Sequence, residues 1–187
     1  MRIKIKKYKK VKSTNDIALS FIKKNTSEPT LIITEKQTSG RGRFGKKWIS
    51  KKGNLLVSLF FKFDEKRINF KQFSVLNAFL LKKVISKTIS KKIKIKWPND
   101  LLFKNMKFCG ILQEVIKFDN FDYLIVGIGL NTNIDPQNKG FKSTSLKNIL
   151  KKKINNQKIL NNIVVAYEKF LEEKNRLSFS DLKRKYE

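Results

Sequence analysis

Apolar and polar positions along the chain fall into recognisable periods. Ile3, Ile5 and Tyr8 stand among lysines and predict a short first strand. The row Ser13-Thr14-Asn15-Asp16 precedes the apolar stretch Ile17-Ala18-Leu19-Ser20-Phe21-Ile22. Such residues cap helices, so a helix is predicted there, broken by Asn25 to Pro29. Thr30-Leu31-Ile32-Ile33-Thr34-Glu35 and Asn54-Leu55-Leu56-Val57-Ser58-Leu59-Phe60-Phe61 read as buried strands. From Asn69 to Thr88, Phe70, Phe73, Val75, Leu76, Phe79, Leu80 and Val84 recur at helical spacing. Ile93, Ile95 and Trp97 alternate with lysines as a half-buried strand that Pro98 ends. Strands follow at Lys107 to Val115 and at Asp122 to Asn131. The remainder is helical: Ser143-Thr144-Ser145 caps Leu146 to Leu150, a stripe runs from Ile159 to Leu171, and Phe179 to Tyr186 forms a last short helix. About six strands with few helices between them favour α+β, a mixed β-sheet with helices on one face, over a doubly wound parallel fold.

Composition narrows the chemistry. The 187 residues suit one domain that buries a core without disulfides or metal. No apolar run approaches the ~20 residues that span a bilayer, and the first residues lack the apolar segment of a secretory signal, so no membrane partner is expected and the cytoplasm is the default expectation. There is no histidine and a single cysteine, Cys109. That excludes an intrachain disulfide, a Ser-His-Asp arrangement, and His-ligated or multi-Cys metal sites. The formal charge is +28, but 37 of the 43 cations are lysine, spread through every segment. Specific nucleic-acid readers lean on arginine, so the charge argues less for such binding than for faster encounter with anions and acidic proteins.

Two stretches lie outside the periodic pattern. Gln37-Thr38-Ser39-Gly40-Arg41-Gly42-Arg43-Phe44-Gly45-Lys46-Lys47-Trp48 alternates glycines with cations between two core strands. Glycines allow close backbone approach, consecutive N–H groups can form an anion nest, and guanidinium forks match phosphate or carboxylate. The run matches neither common nucleotide fingerprint. A basic surface loop, or an Arg-Gly tract holding RNA, fits it equally well in isolation. The second stretch, Lys96-Trp97-Pro98-Asn99-Asp100-Leu101, has turn chemistry between apolar residues that hold it near the core. Gly110 inside a strand, with Lys107 just before it, and Gly127 and Gly129 before Asn131 suggest close approach of a ligand or another backbone.

Together these stretches resemble the biotin–protein ligases. The resemblance rests on Ser13-Thr14-Asn15, Gln37 with Gly40 to Trp48, Lys96 to Leu101, Lys107 through Gly110-Ile111-Leu112 to Glu114, and Gly127 to Asn131. It implies a catalytic domain related to class II aminoacyl-tRNA synthetases, one domain over residues 1–187. Longer members carry an N-terminal winged helix and a small C-terminal β-barrel that helps with ATP and the carrier protein; neither is expected in these residues, and without the winged helix DNA repression is not expected. It implies ATP-dependent ligation of biotin, through biotinyl-5′-AMP, to a lysine of a biotin carboxyl carrier domain, with Mg²⁺; a homodimer is left open. Ser13, Thr14, Asn15, Gln37, Arg41, Gly42, Arg43, Lys107 and Gly110 would hold biotin. Arg41, Arg43, Trp48, Asn99, Lys107 and Asn131 would hold the adenylate, and Arg43 and Lys107 would be catalytic. No protein ligand to a metal is assigned, Asp100 alone being left open for that role. A lipoate ligase or octanoyltransferase of the related fold, using Cys109 if acyl transfer runs through a thiol, is the nearest alternative. A basic RNA-binding module is the alternative from another class.

Overall fold

The computed structural model describes residues 1–89, 92–137 and 141–187. In chain order the elements are β1 (Lys4–Val11), α1 (Thr14–Ile22), β2 (Thr30–Gln37), β3 (Leu55–Phe63), α2 (Phe70–Ser86), β4 (Lys94–Lys96), β5 (Asp100–Phe103), β6 (Met106–Phe118), β7 (Phe121–Leu130), α3 (Leu146–Leu150), α4 (Asn156–Glu173) and α5 (Phe179–Tyr186). The strands form one sheet in the order β1-β2-β3-β7-β6-β5-β4. Among the described residues only β1 and β2 pair in parallel, with α1 as their crossover; the other pairs are antiparallel. This is the mixed α+β sheet expected.

The strand count is seven among the described residues, against about six expected, because β5 follows directly on the Pro98-Asn99 turn. Lys104 and Asn105 both have positive φ, 47° and 61°, the conformation that closes a tight two-residue hairpin into β6. Asp119 and Asn120 do the same between β6 and β7, at 48° and 60°. Lysine is not a usual residue for such a turn, which is why the first hairpin was not legible.

The layering also differs from helices on a single face. Leu31, Val57, Leu59, Phe61, Val126 and Ile128 face α2, α4 and α5 in the main core. Their neighbours Ile32, Phe60, Tyr123 and Ile125 face the other way, against Ala18 and Ile22 of α1. Both faces of the central strands are covered, so their sequences read as unbroken apolar runs and hide the alternation. The main core is dense in rings. Phe73 meets Phe61, Phe63 and Phe170 at centroid distances of 5.9, 5.3 and 6.1 Å.

One polar network crosses that core. Tyr167 of α4 donates to Asn77 Oδ1 of α2 at 2.8 Å, and Asn77 Nδ2 donates to Gln113 Oε1 of β6 at 2.7 Å. Burial pushes the Tyr167 phenol far above its ordinary pKa. Tyr167→Phe should lower stability by about 1–3 kcal/mol, because it leaves the Asn77 oxygen buried and unpaired; the denaturant midpoint measures it.

Candidate active site

The side of the sheet that carries α1 also carries a recess, lined by α1, the β2–β3 loop, β6 and β7. Its floor is backbone. Gly110 of β6 lies opposite Gly129 of β7, and Leu112 lies opposite Gly127. A Cβ on Gly127 would come within 2.4 Å of Asn15 Oδ1. One on Gly129 would come within 2.2 Å of the Trp48 indole, and one on Gly110 within 2.7 Å of it. Three neighbouring positions without side chains thus let α1 and the β2–β3 loop lie directly on the sheet. Gly129→Ala should drive the indole off the sheet, read as a red shift of tryptophan emission, and cost about 1–3 kcal/mol of stability.

The polar row at the start of α1 forms one wall. Ser13 occupies the N-cap but makes no side-chain capping bond, so its hydroxyl is left to the recess that it lines. Gln37 Oε1 accepts from Thr14 N at 2.8 Å and from Thr14 Oγ1 at 3.0 Å, while Gln37 Nε2 donates to Ser50 Oγ at 3.0 Å. Ser58 Oγ on β3 lies within bonding distance of Thr14 Oγ1, 2.6 Å, and of Asn15 Oδ1. Ser58, fully buried in an apolar strand, was not singled out from the sequence. Its signal was a lone hydroxyl within Leu55–Phe63, on the same side as Leu56 and Phe60.

The second wall is the loop between β2 and β3. It folds back on itself: Gly42 N donates to Lys46 O, Trp48 N to Gly40 O, and Arg41 and Lys47 form an isolated antiparallel bridge. Arg41 reaches Asp16 on α1 and Glu114 on β6, its NH2 lying 3.1 Å from Glu114 Oε1. These acceptors, Asp16 first, raise its pKa further. Arg43 donates to Asn99 Oδ1 at 3.2 Å. Among the described residues no carboxylate pairs with Arg43. Trp48 Nε1 is buried and has no hydrogen-bond partner among the described residues.

At the far end, Lys107 Nζ stands 2.7 Å from Asp100 Oδ1 and 5.4 Å from the centres of the Trp48 and Phe141 rings. Asn99 is held on both sides by Ile111, accepting from its N–H at 2.8 Å and donating from Nδ2 to its carbonyl at 3.0 Å. Beyond Lys107 the recess continues into a wider basic groove lined by Lys46, Lys47, Lys96 and Lys142.

Of the residues singled out from sequence, Ser13, Thr14, Asn15, Gln37, Arg41, Gly42, Arg43, Trp48, Asn99, Lys107 and Gly110 line this one recess. Asn131 does not. It is buried, donating to Thr144 O at 3.2 Å and accepting from Asn54 Nδ2 at 3.4 Å. Its side chain ties the segment before α3 to the sheet. Asp100 faces Lys107, and among the described residues no cluster of three His, Cys, Asp or Glu side chains could hold a metal ion. Cys109 is fully buried, and burial, with the Asp100 charge adding to it, pushes its thiol up to about 12. A thiol so protonated is a poor nucleophile.

The glycine floor, the start of α1 and the Gly-Arg loop enclose a polar recess on this mixed sheet, and residues 8–131 match the Biotin/lipoate A/B protein ligase family. The chain belongs to that family. It is 32% identical over 163 residues to the bifunctional ligase/repressor BirA of Bacillus subtilis, covering 84% of this chain and 50% of that protein. Identity to BirA of Escherichia coli is 33% over 123 residues, 65% of this chain and 38% of that protein. The chain therefore spans about half, or less, of the length of these curated relatives. The biotin protein ligase from Aquifex aeolicus, in complex with biotin and ATP, superposes with a TM-score of 0.82 at 29% identity, covering 98% of this chain and 77% of that one. Among the described residues no helix is long and apolar enough to cross a membrane.

Proposed function

We propose that this chain activates biotin with ATP and transfers it to a lysine of a biotin carboxyl carrier domain. The observation that carries the reading is the recess itself: a wall of neutral hydrogen-bonding groups at one end, and Arg43 with Lys107 at the other. The neutral end suits an uncharged ureido ring, through Ser13, Thr14, Asn15 and Gln37. The cationic end suits a carboxylate meeting a phosphate. A carboxylate is ionised at neutral pH and needs no general base, which fits a chain without histidine. It attacks the α-phosphate of ATP, pyrophosphate leaves, and the mixed anhydride biotinyl-5′-AMP remains. The protein's part is to align two anions and to offset charge growing in the transition state. The basic groove beyond Lys107 suits the nucleotide's phosphates. Asp100 is already paired, so the residues present do not form a protein-held cage for Mg²⁺. The ion would arrive with ATP, as is usual for a cation that keeps its waters and phosphate ligands. A carrier lysine then attacks the anhydride carbonyl and AMP leaves. The net positive charge favours encounter with an acidic carrier domain. Dependence on ATP fits a cytoplasmic setting.

The test is pyrophosphate release from Mg-ATP with biotin, with lipoate, and with neither. Release that depends on biotin supports the proposal. Release that depends on lipoate moves the chain to the sister activity of the family, and no release with either acid overturns the reading.

A further inference from the structure

We propose that Glu114 is a positioning residue that fastens the β2–β3 loop to α1 before any ligand arrives, with Asp16 as its partner and Arg41 as the bolt. The proposal rests on the recess being the ligand site. Glu114 stands on β6, on the same face as Gly110, and its two oxygens are divided between two elements. Oε2 accepts from Asn15 Nδ2 at 2.6 Å. Oε1 and Oε2 lie 3.1 and 3.2 Å from Arg41 NH2. Asp16, one residue beyond Asn15, takes the other guanidinium nitrogen. Only 15 acidic residues face 43 cations in this chain, yet two of them converge on one arginine.

The arrangement separates the roles of the two loop arginines. Arg41 has its charge met by two carboxylates and little left to offer an anionic ligand. Among the described residues Arg43, two residues on, meets no carboxylate but the neutral oxygen of Asn99 and the face of Phe44. The bridge from Arg41 to Lys47 and the bond from Trp48 N to Gly40 O carry Arg41's anchorage along the loop to Trp48. Glu114 therefore acts on chemistry through other side chains. It orients Asn15 at the neutral end and sets the loop that presents Arg43 at the charged end.

The loop contains its own probe, because trypsin cuts after Arg43, Lys46 and Lys47. Cleavage of a fluctuating loop follows the population of its open form. In ligand-free protein, Glu114→Gln should be cut at these three sites about three- to tenfold faster than the parent chain, the range for losing a partly exposed charged hydrogen bond. Asp16→Asn should change it in the same direction. Against an Arg41→Ala background Glu114→Gln should add nothing, since residues acting through one contact are non-additive. Saturating biotin should restore protection to Glu114→Gln. In pyrophosphate release the variant should show KM for biotin raised by a similar factor with kcat retained. Unchanged loop cleavage in both Glu114→Gln and Asp16→Asn overturns the proposal, as does full additivity with Arg41→Ala. Because the ligand-free arm needs no substrate, failure of biotin to protect even the parent chain would count against the biotin reading and leave the latch standing on its own data.

Discussion

Lys107→Gln should lower biotin-dependent pyrophosphate release by about 10²–10³-fold, the range for removing one preorganised charge-stabilising group. The position of this ammonium is strongly determined. Its backbone N–H donates to Lys142 O at 2.9 Å and its carbonyl accepts from Thr144 N at 3.0 Å. Asn131 holds the same segment from below. The stem crosses Gly110, whose missing Cβ would lie 3.2 Å from Nζ. Glutamine retains much of the reach and loses the charge. It also strands Asp100, whose side chain is only 16% exposed, as an unpaired negative group facing an incoming phosphate. Both changes act where charge develops, so the loss should fall on kcat more than on KM. Single-turnover formation of the adenylate is the measurement. A loss confined to KM for biotin would make Lys107 a simple binding group and sink the catalytic role.

If the proposed reaction holds, Arg43→Ala should release an adenylate that the parent chain retains. Arg43 leaves the loop to meet Asn99 across the recess, and its guanidinium also lies 4.8 Å from the centre of the Phe44 ring. Asn99 is in turn fixed to Ile111 on β6. The pair bridges the loop and the sheet, and both residues line the recess. With the side chain truncated, one wall opens and a cation that would hold an acyl-adenylate is lost. A mixed anhydride released into solution acylates exposed lysines at random and hydrolyses. Biotinylation of a bystander protein such as serum albumin should rise from background to a readily detected level, together with free adenylate in the filtrate. Tight retention of the intermediate by the variant would remove the loop's closing role. Arg43→Ala and Glu114→Gln thus have different signatures, since loss of the latch should weaken entry while leaving the closed state able to retain its intermediate.

Much of the site was legible because its chemistry is carried by residue types that local structure alone does not require. Ser13, Thr14 and Asn15 outnumber the needs of one helix cap, and the structure leaves Ser13 without a capping bond. Glycines in strands are costly, and Gly110, Gly127 and Gly129 form the floor on which Asn15 and Trp48 rest. Asn131 shows the opposite case. A polar residue ending a strand can face a ligand or fasten a neighbouring segment, and only the positions of Asn54 and Thr144, 77 and 13 residues away, distinguish the two.

Elements, caps and glycine positions follow from near neighbours: periodicity sets which side of a strand is apolar, and residue type sets where a helix can start. Pairings across the fold follow no such rule. Glu114 reaches Arg41 over 73 residues and Asn15 over 99, and Lys107 faces Asp100 only because β5 turns back onto β6. The placement of α1 on the far side of the sheet was decided likewise, by a parallel crossover that brings it onto central strands with apolar residues on both faces. A one-dimensional pattern records how each residue treats water. Which charge meets which is settled when the sheet closes and distant segments compete for the same few partners.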